Sequence, residues 1–180
     1  MIRLIGPGGA GKSTVGAVLA RRLALPFLDL DRQFNAQHGD IDQFIASCGY
    51  AAYARANVEL YDAIVSAEPE GVLVLSSGFM TYPPAIHERY AEARREIAQS
   101  PTTFVLLPSL DLETCVVETV RRQLRRPFGR RGAAREEAVI RERFRTYVAL
   151  SAPTIETMHP PAEVAAAIVA RLPSTLAVHD

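Results

Sequence analysis

The chain has 180 residues, 48% hydrophobic and 22% charged, which is enough for one domain with a real core and too apolar for a disordered tail. Twenty basic residues balance twenty acidic ones, so no overall field marks the chain for nucleic acid or membrane. Two cysteines, Cys48 and Cys115, are too few for a disulfide framework and lack metal-ligand spacing; they suit a reducing compartment.

Ile2, Leu4 and Ile5 form a short apolar run that predicts a buried strand. Gly6-Pro7-Gly8-Gly9-Ala10-Gly11-Lys12-Ser13-Thr14 follows, a complete G-x-x-x-x-G-K-[ST] pattern. Val15, Val18, Leu19 and Leu23 then recur at helical spacing. Strand, glycine loop and helix come in the order a phosphate-binding loop requires. Glycines let backbone N–H groups turn toward phosphate oxygens, and the new helix adds its positive end. Gly8, Gly9, Ala10, Gly11, Lys12, Ser13 and Thr14 are therefore candidate nucleotide ligands, with Ser13 offering its hydroxyl to Mg²⁺ and Lys12 a candidate catalytic group. Lys12 is also the single lysine; the other 19 basic residues are Arg. Such a chain keeps Lys where a compact ammonium fits and a wide planar fork does not. The glycine run starts too early to leave room for a signal-peptide apolar region, so a cytoplasmic location is expected.

Residues 26–31, Pro-Phe-Leu-Asp-Leu-Asp, read as a second strand ending in carboxylates. Within a strand Asp29 and Asp31 would point to opposite faces, unless the strand has already ended. A polar turn with Gly39 leads to helices over residues 41–48 and 51–65. Residues 71–75 are a continuous apolar run, as in a central parallel strand. The longest uncharged stretch, 71–87, is interrupted by Ser76-Ser77-Gly78 and Pro83-Pro84 and is no membrane-spanning helix. A helix is predicted over 84–98, a strand over 103–107 and a helix over 112–124. A Gly- and Arg-rich connection, 125–134, precedes a helix over 135–150, a short strand over 153–157 and a closing helix over 162–172. Cys48 and Cys115 read as apolar filler in helices. Alternating strands and helices predict a single α/β domain over residues 1–180, a three-layer fold with a parallel sheet covered on both faces and the site at the strands' carboxyl ends.

With these residues in view the chain resembles the shikimate kinase family of P-loop small-molecule kinases. The likeness rests on the phosphate loop with Thr14-Val15-Gly16 and Leu19-Ala20, and on Phe27-Leu28-Asp29-Leu30-Asp31 as the family's F-x-D-x-D segment. Gly39, Ile41, Phe44-Ile45 and Gly49 follow at family spacing, Arg126-Pro127 resembles its lid, and Arg143 its later substrate-contacting arginine. The resemblance implies a five-stranded sheet ordered 2-3-1-4-5, a mobile Arg-rich lid, ATP with Mg²⁺, and transfer of the γ-phosphoryl to a small-molecule hydroxyl, with shikimate the leading acceptor. It implies Asp29 in the metal's surroundings with Ser13, Asp31 as the group orienting the acceptor hydroxyl or taking its proton, and Arg126 as a catalytic lid cation. Arg122 falls on the nucleotide side; Arg55, Ser77, Gly78 and Arg143 fall on the acceptor side. Two departures stand out. The family's Phe-Arg-x-x-Glu falls on Tyr53-Ala54-Arg55-Ala56-Asn57, and its Gly triplet on Ser76-Ser77-Gly78. Arg55 neighbours the lost arginine position, but one helical step turns a side chain by about 100°.

Residues 121–145 carry ten Arg against three Glu, net +7 in a neutral chain. A phosphate-clamping lid over 125–131 fits this segment, with a solvated Arg/Glu helix surface beyond it. The expected partner is a small acceptor, such as a carboxylate-bearing polyol, with the protein monomeric and binding neither nucleic acid nor membrane. Other readings of the same residues are a kinase of a different hydroxylated acid or polyol, a P-loop hydrolase or switch protein, and a nucleotide enzyme acting on RNA or DNA through the +7 segment.

Overall fold

Strand β1 (Ile2–Ile5) lies at the centre of a five-stranded parallel sheet, because its apolar residues are wanted on both faces. The computed structural model describes residues 1–68, 70–125 and 132–174. The other strands are β2 (Phe27–Asp29), β3 (Val72–Val74), β4 (Thr103–Leu107) and β5 (Thr154–Glu156), in the order β2-β3-β1-β4-β5. Side chains alternate between two cores with the period of two that a strand imposes. Ile2, Leu4, Val72, Val74, Phe104 and Leu106 join one core, while Ile5, Leu73, Leu75, Val105 and Leu107 join the other.

Helix α1 (Lys12–Arg22) and helix α8 (Pro161–Val169) cover the first core and pack on each other, with Val15, Leu19, Val164 and Ile168 buried. The second core is closed by α2 (Leu30–His38), α4 (Tyr50–Ala67), α5 (Tyr90–Gln99) and α7 (Ala133–Val148) through Phe34, Val58, Ile97 and Tyr147. Helix α3 (Ile41–Cys48) packs on α2 and α4, and α6 (Leu112–Leu124) packs on α7.

Four local readings of the sequence are corrected. β2 ends at Asp29, whose carboxylate caps α2 by accepting from the Arg32 N–H, so Asp31 lies in a first helical turn and not on a strand. The expected polar turn before Gly39 is mostly this helix, which two apolar residues, Leu30 and Phe34, hold in the core. The helix expected from Pro84 begins only at Tyr90; residues 84–86 form a 3₁₀ turn, and His87 then takes extended backbone. Cys115 is buried as expected, but Cys48 is exposed.

Candidate active site

The loop after β1 and the start of α1 build the phosphate cradle. Gly11 enters α1 with φ of 91°, a left-handed conformation that favours glycine, and no side chain caps the helix there. The positive end of α1 is thereby left to the loop. Lys12 is buried, and its Nζ donates to the Gly6 and Pro7 carbonyls at 2.7 and 3.0 Å, inside the loop's own curve. Ser13 Oγ donates to Asp29 Oδ2 at 2.7 Å. Ala10 is buried in the loop, and its carbonyl accepts from the Thr157 hydroxyl at 2.8 Å; Thr14 is exposed. Arg122 ties the cradle to the end of β5. It reaches the Thr157 hydroxyl at 3.1 Å, the Thr157 carbonyl at 2.9 Å and the Gly9 carbonyl at 3.4 Å.

Two cavities meet over this cradle. The smaller, about 60 Å³, is bounded by Gly9, Gly11, Lys12 and Ser13; the larger, about 310 Å³, by Asn35, Asp40, Glu136 and Arg143 among others. Gly8, Asp31, Ser77 and Gln123 line both, so Asp31 stands where the two spaces join. Its Oδ1 accepts from Ser76 Oγ at 2.5 Å and from the Tyr53 phenol at 3.5 Å. Burial and the neighbouring Asp31 charge push the Tyr53 phenol well up, so it stays a neutral donor. Across the larger cleft, Arg143 donates to Ser77 Oγ at 3.0 Å and to the Tyr50 hydroxyl at 3.4 Å. Gly78 lies beneath them: a Cβ there would lie 2.6 Å from the Tyr50 hydroxyl and 3.0 Å from Arg143 Nη2 and would push both side-chain ends aside.

The structure therefore gathers Lys12, Ser13, Asp29, Asp31, Ser77, Gly78 and Arg143 around one crevice, with Arg122 beside the loop. Arg55 lies elsewhere. It is exposed, donates to the Ile86 carbonyl at 3.4 Å and borders none of these cavities, as the turn of one helical step implies. Ala54, one position earlier, is fully buried in the core. Arg126 and most of the expected lid lie outside the described residues.

Asn57 and Ser76, each at a departure from the family pattern, touch in the structure. Asn57 Nδ2 and Oδ1 lie 3.1 and 3.2 Å from Ser76 Oγ, and both residues are buried. A usable signal was that both departures from the family pattern fall on elements that border Asp31. Tyr50 and Tyr53 were missed because nothing in a helix pattern separates a tyrosine at a site from one in a core. The +7 segment is also less bare than its count implied. Arg121 and Arg122 pair with Glu118, and Arg141 pairs with Glu113 and Glu137; Glu113 and Glu118 lie on α6, ahead of the counted segment.

A phosphate loop that shares a carboxylate with a small-molecule cleft defines a kinase, a phosphotransferase with a hydroxyl acceptor. A family model described as shikimate kinase matches residues 8–173. Similar relatives include a shikimate kinase of Thermobifida fusca, 30% identical over 95% of this chain and 94% of that one, and one of Mycobacterium avium, 31% identical over 96% and 93%. Among solved structures, a shikimate kinase from Acinetobacter baumannii in complex with shikimate superposes with a TM-score of 0.71 at 25% identity, covering 93% of this chain and 89% of that one. The chain belongs to the shikimate kinase family.

Proposed function

We propose that the protein transfers the γ-phosphoryl of Mg-ATP to a hydroxyl of shikimate. The observation that carries this reading is the position of Asp31, shared by the phosphate cradle and by a cleft whose far side holds Arg143. Among the described residues lining that cleft Arg143 is the one arginine or lysine, whereas Asp31, Asp40, Asp42 and Glu136 are acidic. That balance suits an acceptor with one carboxylate and otherwise hydroxyl groups, since a second anion would be repelled. Shikimate has this composition, and a cleft of about 310 Å³ is of the size that takes a small ring.

Each residue then has a task. The loop backbone and the end of α1 cradle the phosphates, and the Lys12 ammonium offsets charge on the transferred group. Asp31 accepts a hydrogen bond from the acceptor hydroxyl, aligns it for in-line attack and takes its proton as the new P–O bond forms and the bond from the γ-phosphorus to the bridging oxygen breaks, releasing ADP. Arg143 grips the acceptor carboxylate by a two-pronged contact that also fixes the ring's orientation. Arg126 would close over the phosphates and exclude water, as the family resemblance implies. The hydroxyl of Ser13 and the carboxylate of Asp29 form a hard-oxygen pair that fits Mg²⁺, which takes few protein ligands and keeps the rest of its shell for water and phosphate. Bound there, Mg²⁺ would neutralise charge on the β- and γ-phosphates.

The test is ADP release over a panel of acceptors: shikimate, quinate, gluconate, nucleoside monophosphates and buffer alone. Saturable turnover with shikimate above every other acceptor is the expected result. Turnover at the buffer level with all of them would favour a hydrolase or switch protein.

A further inference from the structure

Asn57 and Ser76 are buried polar side chains, 0% and 2% exposed, to which the transfer scheme gives no task. Asn57 projects from the middle of α4, Ser76 follows β3 by two residues, and Asp31 opens α2. Ser76 Oγ lies within bonding distance of Asp31 Oδ1 and of both ends of the Asn57 amide, and the ionised Asp31 that a proton acceptor requires selects among these bonds. An ionised carboxylate has no proton to give, so the single Ser76 proton points at Asp31 Oδ1. With that proton committed, Ser76 accepts, and the Asn57 amide is its donor at 3.1 Å. The chain therefore runs from Asn57 to Ser76 to Asp31, each donor polarising the next. The Tyr53 phenol stands 3.5 Å from the same Oδ1, at the outer limit of a hydrogen bond.

The close Ser76 bond to one carboxylate oxygen restrains the group's terminal torsion, which is otherwise broad and two-fold. We propose that Ser76 and Asn57 are positioning residues for Asp31, setting which face of its carboxylate meets the acceptor hydroxyl. The pair does this without charge. A cation in the same place would hold the carboxylate but would also attract the acceptor's anion, whereas serine and asparagine leave that anion to Arg143. The proposal rests on Asp31 acting as the acceptor-orienting group.

The experiment is a catalytic double-mutant cycle on the full chain with Ser76→Ala, Asp31→Asn and both together, measured with Mg-ATP and shikimate. Ser76→Ala is expected to lower kcat roughly 10- to 100-fold, within the range of a mispositioned general base, with KM for Mg-ATP within about two-fold. In the Asp31→Asn background the same change should cost nothing further. Equal losses in both backgrounds would overturn the proposal, as would a variant with full kcat and only a lower Tm. Asn57→Ala, taken through the same cycle, covers the case in which Ser76→Ala fails to fold. If the unmodified chain does not phosphorylate shikimate, the acceptor assignment falls instead. The cycle is then read on acceptor-free ATP hydrolysis, where water takes the hydroxyl's place: non-additive losses support the positioning role, and additive losses or none remove it.

Discussion

Ser13 Oγ and Asp29 Oδ2 face each other across 2.7 Å, joining the first turn of α1 to the last residue of β2. The same Asp29 carboxylate caps α2 through its other oxygen. Asp29→Asn should keep the cap, since asparagine caps as well as aspartate does, but lose the negative charge beside Ser13. The expected outcome is a several-fold higher Mg²⁺ concentration at half-maximal rate with an unchanged Tm, whereas Asp29→Ala should also cost about 1 kcal/mol in urea unfolding. An Asn variant with an unchanged Mg²⁺ titration would take Asp29 out of the metal's surroundings.

Lys12→Arg keeps the charge, yet Nζ sits 2.7 and 3.0 Å from two carbonyls of the loop it completes, a space that a guanidinium overfills. Turnover should fall roughly 10²–10³-fold, the usual cost of one lost contact to developing charge. Steady-state rates at saturating Mg-ATP decide the point.

For Asp31→Asn the expected loss in kcat is roughly 10²–10⁴-fold, with Mg-ATP affinity within a few-fold. Equilibrium binding of a fluorescent ATP analogue, set beside initial rates, separates the two effects. Full activity in this variant would remove Asp31 from the mechanism.

Gly78 has φ of −99°, so alanine is allowed by the backbone, but its Cβ would displace the Tyr50 hydroxyl and Arg143 Nη2. Because the Tyr50 hydroxyl ends an exposed side chain, Gly78→Ala should change Tm little while raising the acceptor KM about tenfold. Arg143→Ala should raise it further, by the 1.5–3 kcal/mol (roughly 10- to 100-fold) typical of a lost charge-assisted contact. Acceptor saturation curves for the two variants test the order.

Hydrogen bonds from Arg121, and then from Arg122, hold the Glu118 carboxyl down to about 2, from an ordinary 4.5. A carboxylate depressed in the folded state stabilises it above pH 4.5 and loses that contribution as pH falls toward 2. Glu118→Gln should lower stability modestly above pH 4.5, by no more than about 1 kcal/mol for a pair near the surface, and the melting temperatures of the two proteins should converge near pH 2. Parallel melting curves over that interval would show the pair to be inert.

The sequence by itself determined the phosphate cradle and the sheet. Glycines and a lone lysine at fixed spacing mark the loop, and the apolar runs at 71–75 and 103–107, bounded by turn residues, suit strands buried on two faces; the strand order was legible only through the family resemblance. Asp29 and Asp31 were legible as a pair of strand-end or helix-capping carboxylates, but which of them caps and which opens the helix was not, because where a strand ends depends on what the next helix packs against. Only the tertiary structure decided the acceptor side. Asn57 and Ser76 are 19 residues apart and lie on different elements, so neither residue type nor spacing tells that they meet under Asp31. Arg55 was a candidate by adjacency, and the helix turned it outward toward Ile86. Phosphate chemistry is written in consecutive residues because backbone N–H groups do the binding. The proposed acceptor site is assembled from side chains of α2, α4, α7 and the segment after β3, and their meeting is a property of packing alone.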